Sequence, residues 1–450
     1  MGVIKKSKNK IYLSIYVVLP LIIGVFLGIW QVQPPSANED SPAFQRMMYN
    51  IERFAVQPRI VGTTELEHTR TMIVAEIENM GLFPITHYTW YTRDEAISAN
   101  RRLRGGLESR FDNLPDEFIV QNIFVKLESS TTDRGIMFVS HYDTWASSPG
   151  AADAMMPVAA MLEAMRAQSH NENLANNIYF LITDGEEHGA IGALAFIDDH
   201  PELKDKIDMV VNLEAQGNRG GLILFETSPQ AYSMLNVYRR AVPSPLGFSI
   251  AQTLYNSWNT YTDFCFFLEY GWRGINMAIV EGFEHYHRPT DNYENLNNNT
   301  AWHYLTTTLG LAEYAAYNSL EELQGQSSSA VFFPFLKNNL ILLSYTWANV
   351  FCVLACLLAL AYLAYQYIKK RPLATLTNIS LLILIPLSVV LSIIFTAGSY
   401  LVWVPLLFMT LTAFLKNWEV LYRVVQMVSI VIISLLWIPL IYLIMILTNQ

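Results

Sequence analysis

Gly135-Ile136-Met137-Phe138-Val139-Ser140-His141-Tyr142-Asp143 is the stretch on which the fold turns. A short, uncharged, largely apolar run fits a strand covered on both faces, and this one stops directly at a histidine. Two further segments have the same form. Asn177-Ile178-Tyr179-Phe180-Leu181-Ile182-Thr183 runs into Asp184-Gly185-Glu186-Glu187, and Met209-Val210-Val211-Asn212-Leu213 runs into Glu214. Gly274 to Ile279 reads as a fourth such strand, while Asn122 to Leu127 alternates. Between them, Pro157 to Gln168 and Ile191 to Asp199 read as helices, with Pro157 tolerated in a first turn. Phe44 to Phe54 and Glu65 to Met80 read as amphipathic helices. Strands alternating with helices predict an α/β fold. Its polar motifs fall at the C-terminal ends of strands, where open α/β sheets carry their sites.

Those motifs carry the chemistry. His141 can bind a metal while Asp143 accepts its other ring N–H. Asp153 follows a Gly-Ala-Ala turn and precedes a helix, so its two oxygens can bridge two cations; taken alone an Asp there is more readily a helix N-cap, and the two roles do not exclude each other. In Glu186-Glu187, one carboxylate can bind metal while its neighbour takes a proton from an activated water. Glu214 ends a buried strand, where a carboxylate is costly unless paired or coordinated. His287 stands before Arg288-Pro289-Thr290-Asp291; His285 and His188 are rivals, the latter expected to line the site. Two imidazoles and three carboxylates are a suitable donor set for a pair of zinc ions. Each motif alone has a bland explanation, such as a surface histidine or a solvated acidic turn. It is the set of five that points to a hydrolytic metal site.

The rest of the chain is apolar. Its 450 residues are 52% hydrophobic and 15% charged. Ile11 to Trp30, Leu340 to Ile368, Ile379 to Leu415 and Val424 to Leu447 contain no charged residue. Runs of about 20 apolar residues cross a bilayer as helices. The third run is long enough for two short spans broken near Thr396-Ala397-Gly398-Ser399, so about five transmembrane helices are expected. Lys5, Lys6, Lys8 and Lys10 precede the first; Lys369, Lys370 and Arg371 follow the second; Lys416 and Arg423 lie between the fourth and fifth. A cytoplasmic N-terminus puts all three clusters on the cytoplasmic side. The polar middle then lies outside the cytoplasm, on the periplasmic side of a bacterial inner membrane or in an organelle lumen. The first run exceeds a usual signal core and lacks a good small-x-small cleavage site, so it reads as a retained anchor.

The expected organisation is a basic tail and anchor over 1–31, an extracytoplasmic domain over 32–325 and a linker plus membrane domain over 326–450. Gln324 to Ser329 is read as a flexible linker, returning the chain to the membrane at Phe332. Of three cysteines only Cys265 lies in the polar region, so that region forms no internal disulfide. The net charge of −10 argues against a nucleic-acid partner.

Taken together, Ser140-His141-Tyr142-Asp143-Thr144, Pro149-Gly150-Ala151-Ala152-Asp153, Thr183-Asp184-Gly185-Glu186-Glu187 and Tyr286-His287-Arg288-Pro289-Thr290-Asp291 resemble the motifs of the di-zinc aminopeptidase family, which includes bacterial leucyl aminopeptidases and glutaminyl cyclases. The resemblance covers roughly Phe44 to Leu309. It implies a mixed twisted β-sheet flanked by helices. It implies two zinc ions, one on His141, Asp153 and Glu214, the other on Asp153, Glu187 and His287. Glu186 would be the general base, and Asp143 a catalytic partner of His141. Asn212-Leu213-Glu214-Ala215-Gln216-Gly217, with Glu where an Asp is common, is similar to the vacuolar membrane protease and endoplasmic-reticulum metallopeptidase branch. A cis peptide is usual after the bridging Asp. Here Ala154-Met155-Met156-Pro157 replaces the usual residues, which leaves open whether that bond carries over. The two methionines are expected to narrow the pocket and make it apolar. No role is carried over for Thr262-Asp263-Phe264.

The reading is a membrane-anchored zinc aminopeptidase acting on peptide substrates. A glutaminyl-peptide cyclase on the same scaffold and a non-catalytic, receptor-like binding domain are the alternatives. The short turn after Glu187 and the Tyr before His287 weigh against the cyclase, and a complete ligand and base set weighs against the receptor. A transporter role is weaker still, because the spans carry no internal charges.

Overall fold

The computed structural model describes residues 14–102, 108–112, 114–256, 260–325, 327–370, 375–394 and 396–448. Lys5, Lys6, Lys8, Lys10, Arg371 and Gln326 lie outside these residues. The chain forms two compact units, one of Pro34–Ser328 and one of Met1–Gln33 with Ser329–Asn449.

The first unit is built on a seven-stranded sheet in the order β1-β2-β4-β3-β5-β7-β6. Its strands are β1 (Ile85–Thr92), β2 (Glu117–Leu127), β3 (Gly135–His141), β4 (Asn177–Thr183), β5 (Ile207–Ala215), β6 (Ile223–Thr227) and β7 (Gly274–Ile279). The central strands β4, β3, β5 and β7 are parallel. β1, β2 and β6 join antiparallel at the edges, so the sheet is mixed. Every residue of β3, β4, β5 and β7 is buried. That is why these strands read as continuous apolar runs rather than as alternating ones.

Helices cover the sheet: α1 (Pro42–Phe54), α2 (Thr64–Glu78), α3 (Met156–Gln168), α4 (Ile191–Asp199) and α5 (Asn298–Tyr317). Ser41 and Thr63 cap the first two, each accepting an N–H through its side chain. One core cluster joins Met137 and Val139 of β3, Tyr179 and Leu181 of β4 and Phe196 of α4 to Phe264 and Phe267. The Phe138 and Phe180 rings of neighbouring strands stack at 5.3 Å, an offset contact adding about 1 kcal/mol to their burial. The segment read as a flexible linker is held at its end: Ser327 Oγ accepts from Ser233 N and Ser328 O from Tyr232 N.

The second unit differs from expectation where the chain enters it. Ala330–Pro334 (β8) and Leu340–Ser344 (β9) pair as an antiparallel hairpin. The apolar run that starts at Leu340 therefore spends its first five residues as a strand, and the helix begins at Tyr345, capped by Ser344 Oγ. Four helices follow: α6 (Tyr345–Ile368), α7 (Leu376–Ile394), α8 (Tyr400–Phe414) and α9 (Glu419–Thr448). Two stretches, Tyr345–Ile368 and Val420–Ile446, are long and apolar enough to cross a membrane. The other three apolar helices expected as spans, Ile15–Trp30, Thr377–Ile393 and Tyr400–Phe414, are shorter. At 1.5 Å per residue, α8 rises only about 22 Å against a hydrocarbon core of about 30 Å. The helix Leu19–Trp30 packs on α9 through small residues. A Cβ at Gly24 would come within 2.5 Å of Ser434 Cβ, and one at Gly28 within 2.7 Å of Ile438 Cβ.

Candidate metal centre

Parallel pairing brings the polar motifs together. Val139 of β3 lies opposite Asn212 of β5, so two residues on, His141 and Glu214 come side by side. His141 pairs with Thr183 at the end of β4, and Asp184 to Glu187 follow immediately. The loop after β7 brings in His287. His141 Nε2 lies 3.2 Å from Asp153 Oδ1 and 3.4 Å from Glu214 Oε2. His287 Nε2 lies 3.4 Å from Asp153 Oδ2 and 2.9 Å from Glu187 Oε1. Asp153 thus turns one oxygen to each of two groups, His141–Asp153–Glu214 and Asp153–Glu187–His287. Within each group the candidate ligand atoms all lie within 4.8 Å of one another.

The donor atoms suit metal ions. His141 Nε2, His287 Nε2, Glu187 Oε1 and Glu214 Oε1 are buried and make no hydrogen bond to any described residue. His141 Nδ1 donates to the main-chain oxygen of Asp143 at 3.1 Å, which leaves the Nε2 lone pair for a cation. Burial alone would lower the His287 pKa, but the Glu187 and Asp153 carboxylates raise it to about 9. Burial likewise opposes charge on His141, yet Glu214, Asp143 and Asp153 raise its pKa well above the usual histidine value. Positive charge is what this carboxylate cluster demands, and a divalent cation supplies it. The His287 ring also stacks with Trp145 at 5.0 Å and Tyr286 at 3.7 Å. Its backbone sits in the left-handed region, at φ 57°. Such strain in a non-glycine residue persists only where the surroundings fix it.

Asp143 lies beside both His141 and the Glu186-Glu187 turn. Its carboxylate lies 3.5 Å from His141 Nδ1, beyond the main-chain oxygen that the ring does bond. It also accepts from the main-chain N–H of Glu186 at 3.1 Å and of Glu187 at 3.2 Å. Burial would raise its pKa, but His141 and His188 hold it well below the usual carboxylate range. The acceptor that orients the Glu186-Glu187 turn therefore stays ionised. Glu186 is buried, and its carboxylate makes no hydrogen bond to any described residue. Burial, then the nearby Glu214, pushes its pKa well above the usual range. His188 lies 3.9 Å from Asp143 Oδ2, lining the site, whereas His285 Nδ1 bonds to Thr290 O at 3.1 Å and belongs to neither group.

The turn that carries Asp153 is held by residues whose part in it the sequence did not disclose. Asp291 accepts from three successive amides: Ala151 N on its main-chain oxygen, Ala152 N on Oδ1 at 2.8 Å and Asp153 N on Oδ2 at 3.2 Å. Arg59, 1% exposed, donates to the main-chain oxygens of Tyr142, Phe54, Pro149 and Gly150. Burial lowers the pKa of this guanidinium to about 10. Gly150 makes the turn at φ 62°, and a Cβ there would meet Thr144 Cγ2 at 2.3 Å and Asp153 O at 2.4 Å. The Asp153–Ala154 peptide is cis, so that feature is present despite Ala154. Met155 and Met156 are fully buried. Arg110, also unanticipated, donates to Glu187 O at 3.1 Å and lies over the Trp145 and Tyr261 rings. Asp263, on which no role was placed, is buried among the acids, and burial followed by Glu214 raises its pKa to about 7.

Residues 122–312 match peptidase family M28. The chain is similar to a vacuolar membrane protease of Candida dubliniensis, 25% identical over 86% of this chain and 41% of that protein. It is also similar to a vacuolar membrane protease of Saccharomyces cerevisiae, 29% identical over 56% of this chain and 26% of that protein. The chain thus aligns with less than half the length of these curated relatives. Among solved structures, an aminopeptidase from Aneurinibacillus sp. strain AM-1 superposes with a TM-score of 0.46 at 13% identity, over 61% of this chain and 94% of that one.

Proposed function

We propose that this chain, whose residues 122–312 belong to peptidase family M28, is a membrane-anchored zinc aminopeptidase. One observation carries the reading: Asp153 offers its two oxygens to His141 and His287 on either side, at 3.2 and 3.4 Å. On this reading His141, Asp153 and Glu214 hold one zinc, and Asp153, Glu187 and His287 hold the other. Bound zinc supplies an acidified water and a Lewis acid for the scissile carbonyl.

The chain's own residues do the rest. Glu186 takes a proton from the attacking water and returns it to the leaving amine. Its raised pKa makes it the better acceptor of that proton. Asp143 fixes the turn that carries Glu186 and Glu187, and Arg59 and Asp291 fix Asp153. The carboxylate cluster attracts the free N-terminal ammonium of a peptide, which favours release of N-terminal residues over internal cleavage.

The proposal includes the membrane. The three shorter apolar helices are taken as spans alongside the two long ones, since tilt and local thinning accommodate a mismatch in length. Lys5, Lys6, Lys8 and Lys10 then stay in the cytoplasm, and the Pro34–Ser328 unit acts outside it. The test is residue release from unblocked and N-acetylated peptides by the purified full chain, before and after chelation and with zinc restored. Release from unblocked peptides only, lost on chelation and recovered with zinc, is the expected result. Cleavage of both kinds alike would remove the aminopeptidase assignment.

A further inference from the structure

The membrane unit contains a cavity that its apolar composition does not account for. A space of about 440 Å³ is lined by Tyr362, Gln366, Thr375, Asn378, Thr412 and Lys416, among others, from α6, α7, α8 and the turn after α8. This falls within the range of small-ligand pockets, about 300–1,000 Å³.

The lining has a definite chemistry. Gln366 is 6% exposed, and its side-chain carboxamide makes no hydrogen bond to any described residue. A buried carboxamide on an apolar helix is costly until something accepts from it. Lys416 forms no ion pair with any described residue. The Thr375 hydroxyl oxygen accepts from Asn378 N at 3.3 Å, so its proton remains available to donate. None of the lining residues is acidic. Between Lys369 and Arg423 the sequence carries Lys369, Lys370, Arg371, Lys416 and Arg423 against Glu419 as the one acid. A cation, a buried amide donor and a hydroxyl donor without a carboxylate make a site for an anion. The flanking surface is apolar: Ile379, Leu382 and Ile383 of α7 and Leu411 and Phe414 of α8 are exposed.

On the membrane-embedded reading above, we infer that this cavity binds a phosphate group. Lys416 provides the charge, and Gln366 and Thr375 donate to the phosphate oxygens. The source is the headgroup of an anionic phospholipid, whose chains lie along the exposed apolar side chains, or free inorganic phosphate.

The experiment reconstitutes the full chain into vesicles of phosphatidylcholine doped with phosphatidylglycerol, isolates it in detergent, and counts both lipids carried through. Co-flotation with the vesicles is scored separately. The wild type is expected to retain phosphatidylglycerol in preference. Lys416→Gln is expected to lose that preference roughly fivefold, as removal of one cation near a headgroup predicts. Gln366→Leu, which suits an apolar helix, should lose it without a lower unfolding midpoint. Competition by inorganic phosphate alone, absent in Lys416→Gln, assigns the site to free phosphate; no competition assigns it to the lipid. Equal retention of both lipids by the wild type with no Lys416-dependent binding of inorganic phosphate, or unchanged preference in both variants, overturns the proposal. A chain that fails to float with vesicles overturns the membrane reading itself, and this site with it.

Discussion

The carboxylate of Asp291 accepts the main-chain N–H of Asp153 at 3.2 Å, and so ties the turn bearing Asp153 to the segment bearing His287. Ser147 Oγ, donating to His287 O at 2.8 Å, is a second tie between the same two segments. The separation of the two ligand groups is therefore set by local hydrogen bonds as well as by the sheet. Asp291→Ala leaves the Ala152 and Asp153 amides without their acceptor. We expect zinc per chain after dialysis to fall, with turnover reduced on the order of 10- to 100-fold, as for lost outer partners of metal ligands. Asp291→Asn keeps an acceptor oxygen and should retain more of both. Zinc analysis alongside peptide hydrolysis checks this.

Gly150 tests the same turn from the backbone side. Gly150→Ala places a methyl group 2.3 Å from Thr144 Cγ2 in a left-handed conformation that alone costs about 1–2 kcal/mol. The variant should unfold at clearly lower denaturant than the wild type. An unchanged midpoint would mean that the turn relaxes freely.

Asp143 separates two roles. If it acts by fixing the Glu186-Glu187 turn, Asp143→Asn keeps one acceptor oxygen for the two amides, whereas Asp143→Ala keeps none. Turnover should fall far more in the Ala variant. If the charge on Asp143 matters chiefly through His141, the two variants should be impaired alike.

Metal removal should lower stability as well as activity. The ligands cluster only in the folded unit, so zinc at about 100 times its dissociation constant adds about 2.7 kcal/mol per site. Thermal unfolding of the full chain in detergent should shift down on chelation and recover with zinc. The shift should shrink in His141→Ala and His287→Ala.

The sequence was legible where the physics is local. β3, β4, β5 and β7 are covered on both faces, so their apolar runs stand out, and the polar residues at their ends mark the site. Edge strands gave no such signal: in β1, Tyr88 and Trp90 face solvent and Ile85–Thr92 mixes polar and aromatic residues. Hydropathy marks an apolar run but not its hydrogen bonding, so Leu340–Ser344 reads as the start of a span although it pairs with β8. Arg59 was unreadable because its four acceptors are main-chain oxygens that only the folded chain brings together. Asp291 closes the Tyr286-His287-Arg288-Pro289-Thr290-Asp291 motif, yet its role depends on amides far away in sequence. Asp143 is legible only in part: His-x-Asp spacing puts its carboxylate 3.5 Å from His141 Nδ1, but not on the turn after the neighbouring strand, which it also caps.

The most direct test is Glu186→Gln in the full chain, with bound zinc counted and release from an unblocked peptide measured on the same sample. The substitution preserves shape and removes the proton acceptor. Glu186 belongs to neither ligand group, so we predict wild-type zinc content with turnover reduced at least ~100-fold, the range for a lost general base. Turnover close to wild type with zinc in place would contradict the account.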